Sequence, residues 1–392
     1  MEIKGFKFSG ISAGIKKNGG KDVGLICGDG PLSVAGVFTC SSIKAAPVVL
    51  DMERIKGGTA RAVIVNSGNA NACTGDAGMR DALATSRFLA EGIGVLDEEV
   101  LVSSTGVIGQ KLPVEKIKAA IPELVSSLDY GKIQDFAEAI MTTDSFPKMS
   151  FATRRINGKD VTIGGVAKGA GMISPNMATM LSYIMTDASI NSKMLVHALK
   201  VATDVSFNSI TVDGDMSTND TVIALASGAS GAEIVEGETG HLEFISMLKE
   251  LMIELAKMIV RDGEGATKLI ELKVKGADSK EDAKKAAVKI ANSPLVKTAF
   301  YGEDANWGRI VAALGGADIK LDESTLDIWF DDICIVKGGL FAGAEAEAEA
   351  TDMMKKKEVS LTVNINMGPH EATLWTCDFT HDYIKINAEY RS

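Results

Sequence analysis

"RAVIVNSG", residues 61–68, is a β-branched run that ends in a Ser-Gly turn, and it reads as a strand. "EVLVSSTG" (99–106) repeats the pattern, and "GMRDALATSRFLAEG" (78–92) between them reads as a helix. Strand, helix and strand make an α/β arrangement with polar loops at the strand ends. Working outward, "VEKIKAAIPELVSSL" (114–128) is a further helix despite Pro122, and "RRINGKDVTIGGVAKG" (154–169) is a hairpin followed by an irregular loop. "TMLSYIMTDASI" (179–190) reads as a buried strand, "SKMLVHALKVATDV" (192–205) as an amphipathic helix and "FNSITVDG" (207–214) as another strand. "LEFISMLKELMIELAKMIVRDGEG" (242–265) has apolar residues at helical spacing and stops at glycines. "DSKEDAKKAAVKIAN" (278–292) opens with a capping-box pair, Asp278 and Glu281. Residues 342–358 read as a solvated loop or helix, and the tail from Val359 to Tyr390 alternates in strand fashion.

The chain has 392 residues, of which 46% are apolar and 24% charged, enough for two or three packed layers or two domains. A net charge of −11, with no Lys/Arg stripe interleaved by aromatics, argues against nucleic acid or an anionic membrane as partner. The opening "MEIKGFKFSGISAG" carries charges and glycines where a signal peptide needs an apolar core. The expected location is therefore cytoplasmic. The five cysteines, Cys27, Cys40, Cys73, Cys334 and Cys377, are scattered without a CxxC pair and read as small core hydrophobes.

Familiar motifs fail on spacing. "GAGMIS" (169–174) lacks the third glycine of a dinucleotide loop, and "GIKKNGGKD" (14–22) places Asp22 where a phosphate loop needs Ser or Thr. "DGDMSTND" (213–220) imitates half of a calcium loop, but the twelfth position is Ala224 rather than glutamate. The four histidines form no metal-ligand pair, so neither metal nor cofactor is expected. No GxSxG elbow marks a serine nucleophile, although a Ser-His-Asp triad stays geometrically open.

"PNMATML" (175–181) then stands out, because Thr179 follows a glycine-rich stretch and opens an apolar run. A threonine hydroxyl becomes a useful nucleophile when its own α-amine, freed as a chain N-terminus, takes its proton. Such an amine titrates near ~7.7–8.0 in model peptides, close to cellular pH. The bland reading of Thr179 is a β-former whose hydroxyl bonds to the backbone.

"KGAGMISPNMATML" (168–181) resembles the self-cleavage segment of the ornithine acetyltransferase (glutamate N-acetyltransferase) family of arginine biosynthesis. "VNSGNANACTG" (65–75), "SSTGVIG" (103–109), "MTTDSFPK" (141–148), "FNSITVDGDMSTNDT" (207–221), "GEDANWGRI" (302–310) and "HDYIKINAEY" (381–390) resemble further family blocks, in family order. The resemblance spans essentially the whole chain, with Cys40 and Met216 standing where more polar residues are expected.

The resemblance implies layered mixed sheets and helices, as in the ornithine acetyltransferases and the related self-processing aminopeptidases, with the nucleophile at the start of a buried strand. It implies cleavage between Ala178 and Thr179, giving fragments 1–178 and 179–392 that stay together, as two copies of each. No Pro/Ser-rich linker divides the chain, which leaves the number of domains open, and the structural boundary is placed near that cut. By the same resemblance, Thr105 and Gly106 form the oxyanion hole, and Thr142, Lys168, Thr179, Glu264, Asn387 and Ser392 bind substrate. N-acetylornithine and glutamate are the implied substrates, and acetyl-CoA as a second donor is left open. A self-processing amide hydrolase and an uncut small-molecule binding protein are the competing readings.

Overall fold

The computed structural model describes residues 2–175 and 180–389. It divides into two compact units, in each case as far as the residues are described. The first is drawn from Met1–Gly169, Asn176–Asn208 and Asp215–Ala256, the second from Ala170–Pro175, Ser209–Gly214 and Lys257–Ser392. The division does not coincide with position 178/179: Ala170–Pro175 falls in unit 2, whereas Leu181–Thr186, Ser192–Asp204, Thr221–Ala226 and most of Thr239–Arg261 fall in unit 1.

In unit 1 the strands are β1 (Phe6–Ile11), β2 (Val23–Phe38), β3 (Thr59–Asn69), β4 (Val100–Val107), β5 (Lys148–Ile156), β6 (Lys159–Lys168), β7 (Leu181–Thr186) and β8 (Thr221–Ala226). They form one sheet in the order β4-β3-β2-β8-β7-β6-β5, with β1 paired to β2 beside this path. The pairs β3/β4 and β7/β8 are parallel and the others antiparallel, so the sheet is mixed. Helices α1 (Ala46–Arg54), α2 (Gly75–Ile93), α3 (Val114–Ser126), α4 (Ile133–Ile140) and α5 (Ser192–Asp204) belong to the same unit, and the unit boundary falls within α6 (Thr239–Arg261).

The run in β3 is apolar without interruption because both of its faces are covered. Val63 and Val65 join Phe8, Phe136 and Tyr183 in one core, while Ala62 and Ile64 join Leu25, Leu89 and Ile117 in another. β4 ends the strand order, and its exposed backbone row is closed from α1. Both carboxylate oxygens of Asp51 accept from the Val102 N–H (3.0 and 3.2 Å), and Arg54 donates to the Val100 carbonyl.

Unit 2 has strands β9 (Leu269–Ala277), β10 (Asp327–Phe330), β11 (Ile333–Lys337), β12 (Leu340–Phe341), β13 (Glu358–Asn364) and β14 (His370–Cys377), in the order β12-β11-β10-β13-β9-β14. Its helices are α7 (Lys280–Ala291), α8 (Pro294–Tyr301), α9 (Trp307–Gly315), α10 (Ala344–Met353) and α11 (His381–Ala388). Ile270, Leu272 and Val274 of β9 meet Ala283, Ala287 and Ile290 of α7 in its core. Among the described residues, no helix is long and apolar enough to cross a membrane.

Four local readings need correction. "FNSITVDG" is one 3-10 turn (Phe207–Ser209) followed by loop, with a single bridge from Ile210 to Trp375, because its polar groups are spent on side-chain contacts rather than on a ladder. The strand-like tail ends in α11, where Thr380 caps the helix by accepting from the Asp382 N–H (3.2 Å). The cap of α7 is Ser279, one residue beyond Asp278, and it accepts from the Asp282 N–H (3.0 Å). Of the cysteines only Cys27 and Cys377 are buried, whereas Cys40 and Cys73 are exposed.

Candidate active site

β3 and β4 run parallel to a bulge at Gly68/Asn69, where Asn69 pairs with both Thr105 and Val107. A bulge re-aims the end of a strand, and here it brings the two backbones unusually close. A Cβ on Gly106 would stand 2.4 Å from the Gly68 carbonyl carbon, and Gly106 has φ +130°, so only glycine fits. The polar residues of "VNSGNANACTG" staple this end. The Ser104 hydroxyl and the Asn66 Oδ1 lie 2.6 Å apart, and Asn69 Nδ2 donates to the Gln110 and Lys111 carbonyls (3.2 and 3.1 Å).

Lys168 closes β6 and is buried. Its Nζ donates to Thr105 Oγ1 at 3.3 Å. An ammonium has donors only, so the Thr105 oxygen accepts from it and its own O–H is left to donate elsewhere. The cation is balanced by Asp144, whose side chain is fully buried together with that of Lys148. Asp144 accepts from Lys148 Nζ (2.7 Å), the Gly169 N–H (2.7 Å) and the Thr142 N–H (2.9 Å). Burial by itself would raise the Asp144 pKa, but the charges of Lys168 and Lys148 and the hydrogen bonds from Lys148 and the Gly169 N–H outweigh it and hold it at about 2. Thr142, Asp144, Lys168 and Thr105 are thus one connected polar group in unit 1.

Glu264 and Asn387 meet in unit 2, where Asn387 Nδ2 donates to Glu264 Oε2 (2.9 Å) and to the Tyr383 carbonyl (3.0 Å). The Glu264 carboxylate lies on the backbone of the glycine-rich stretch. A Cβ on Gly171 would stand 2.4 Å from its Cδ, and the Glu264 N–H donates to the Ala170 carbonyl (2.9 Å). Asp213 holds the next residues by accepting from the N–H groups of Met172 (2.7 Å) and Ile173 (2.9 Å). Ala178, Thr179 and Ser392 lie outside the described residues.

The comparisons with known proteins speak to the whole chain. The model of the ArgJ family matches residues 7–392. The chain belongs to the ArgJ family. It is 55% identical over 395 aligned positions to the arginine biosynthesis bifunctional protein ArgJ of Geobacter sulfurreducens, covering 100% of both chains. It is 49% identical to the protein of the same name from Syntrophotalea carbinolica, again over 100% of both. Among solved structures, the ArgJ crystal structure from Bacillus halodurans matches with 43% identity and a TM-score of 0.52, over 54% of this chain and 100% of that one.

Several residues of this ArgJ-family chain that surround the candidate site carry no local signal in the sequence. Asp144 and Lys148 lie within "MTTDSFPK", where nothing local shows that both side chains are buried or that Lys168 acts on the carboxylate. Asn219 and Asp220 close the run "DGDMSTND", whose local pattern imitates half of a calcium loop. Both are buried, and Asn219 Nδ2 donates to the carbonyls of Ala70 (2.7 Å) and Ser104 (2.8 Å).

Proposed function

We propose that this chain transfers the acetyl group of N2-acetyl-L-ornithine to L-glutamate through an acetyl-Thr179 intermediate, after cutting itself between Ala178 and Thr179. The observation that carries the reading is the Lys168–Thr105 contact at the end of β4, in a chain that belongs to the ArgJ family throughout its length. A hydroxyl whose oxygen is occupied by a cation is a directed donor, which suits the oxyanion of a tetrahedral acyl-transfer intermediate. The anionic Asp144 lies within electrostatic reach of Lys168 and offsets its buried charge.

The cycle is ping-pong. The Thr179 hydroxyl attacks the acetyl carbonyl, its α-amine passes the proton to the departing ornithine amine, and glutamate's neutral amine then takes the acetyl group. One amide replaces a similar one, so no nucleotide has to drive the exchange. Glu264, half-buried and paired with Asn387, suits the ammonium of the substrate, and Lys168 suits an anionic group. The relatives' designation as bifunctional supports acetyl-CoA as a second acetyl donor. The assembly we propose has two copies of each fragment.

The test combines processing and chemistry. Denaturing electrophoresis of fresh protein should show fragments of residues 1–178 and 179–392, and Thr179→Ala should leave one intact chain. With acetylornithine and glutamate the wild type should form acetylglutamate, while release of acetate alone would identify a hydrolase. Acetyl-CoA as sole donor tests the second activity.

A further inference from the structure

The loop Ser217–Asp220 leads into β8, and β8 pairs in parallel with β7 in the register Leu181↔Thr221. That register puts Asp220 beside Met180, and the Met180 N–H donates to Asp220 Oδ1 (3.1 Å), while the Thr221 N–H donates to the Met180 carbonyl (3.1 Å). The N–H that Asp220 accepts belongs to the peptide bond joining residues 179 and 180. Next to it, Asn219 grips the carbonyls of Ala70 and Ser104, the latter adjoining Thr105. One short loop therefore ties the end of β4 to the start of the strand that follows Thr179.

Asp220 Oδ2 is buried and has no hydrogen-bond partner among the described residues. The neighbouring hydroxyls are those of Thr39, which donates to the Ser217 carbonyl (2.9 Å), and of Ser217, which accepts from the Asn219 N–H (2.9 Å). The charged group that acts on Asp220 is Lys168 of β6, while residue 39, the loop itself and the start of β7 present neutral groups. Buried carboxylates are ordinarily paired, since an uncompensated one costs several kilocalories per mole. A half-satisfied carboxylate at this place has room for one more donor.

We propose that Asp220 is a positioning residue for the nucleophile, holding the peptide group between residues 179 and 180 and supplying the counter-charge for the α-ammonium that cleavage creates at Thr179. The proposal rests on the reading of Thr179 as a freed N-terminus. In the uncut chain that amine does not exist, and burial holds Asp220 up at about 7 against the nearby hydroxyls, the Met180 N–H and Lys168. Cutting adds a cation, which favours the ionised carboxylate and, reciprocally, raises the pKa of the amine. Asp220 would thereby set the pH at which the amine becomes a base.

The experiment is the pH dependence of kcat/KM for acetyl transfer, from about pH 5.5 to 9.5, in the wild type, Asp220→Asn and Asp220→Glu. Each sample is checked by mass spectrometry for a fragment that begins at Thr179. Asn keeps an oxygen for the Met180 N–H but not the charge, so the acid limb should move down by about one unit or more. Superimposable profiles of cut, folded wild type and Asp220→Asn would overturn the proposal. Should Asp220→Asn fold but remain uncut, restored cutting in Asp220→Glu supports the charge, whereas equal failure of both reduces Asp220 to packing. An active wild type with no fragment beginning at Thr179 overturns the nucleophile reading itself, and the proposal with it.

Discussion

Two buried carboxylates of unit 1 have opposite fates. Asp144, between Thr142 and Lys148, is held at about 2, while Asp220, before β8, is held up at about 7. Burial raises both, so the difference lies in what else surrounds them. Asp144 has Lys148 in contact, Lys168 nearby and two backbone N–H donors, whereas Asp220 has the neutral hydroxyls of Ser217 and Thr39, one backbone donor and Lys168 as its charged neighbour. A carboxylate's charge in such a core is set by the number of donors and cations delivered to it, more than by its depth. The first is an anion fixed by the lysines around it, and the second is the one we propose to face the α-ammonium of a freed Thr179.

The comparison breaks most severely at Lys148. Lys148→Met should destabilise the fold by ~3–5 kcal/mol near pH 7, because it strips a buried anion of its closest partner. The pH sign can be worked out from Asp144, whose folded pKa lies below the ordinary 3.8. Its contribution is complete above about pH 4 and is lost as the pH falls through about 2. Urea unfolding of wild type and Lys148→Met should therefore converge toward about pH 2, and an equal gap at both pH values would contradict the assignment.

Thr105→Val, which keeps the shape and removes the hydroxyl, tests the other end of the Asp144–Lys168 group. A loss of ~10²–10³ in kcat of the folded protein is expected for one oxyanion donor. Retention of full activity would remove Thr105 from the chemistry.

Asp220 makes the converse prediction in an uncut chain. Its folded pKa is raised, so the folded state holds the proton more tightly and loses stability as pH rises from about 4 to 7. In a Thr179→Ala background, Asp220→Asn should add roughly 2 kcal/mol at pH 8 and close to nothing at pH 4, a discounted share of ~1.4 kcal/mol per pKa unit. Thermal melts at the two pH values decide it, and a pH-independent effect would point to packing alone. The smallest effect belongs to unit 2, where Asn387 is exposed. Asn387→Ala should change stability by less than ~0.5 kcal/mol while raising the KM for acetylornithine, and an unchanged KM would separate Asn387 from substrate binding.

Much of the fold was legible along the chain. β3, β4, α2, α3, α5 and the bulk of α6 announce themselves, since β-branched runs and helical apolar spacing depend on neighbours within one or two turns. "FNSITVDG" and the tail misled for the same reason. Their local alternation imitates a strand, while Asn292 claims the Thr211 hydroxyl (2.6 Å) and Gly265 claims that of Thr380 (2.7 Å). The glycines of "KGAGMISPN" stand out along the chain by their clustering. What Gly171 does, leaving space for the Glu264 carboxylate, depends on a residue more than ninety positions away.

The sequence by itself determined the α/β class and the family, because both are carried by runs and motifs of contiguous residues. Tertiary structure decided that Lys168 meets Thr105, that Asp144 is an anion and that Asp220 sits half-satisfied at the start of β7. Those are matters of which distant donor or cation reaches a buried oxygen. In a medium that screens charge weakly, a few ångströms of placement fix the protonation state, and no local pattern encodes that distance.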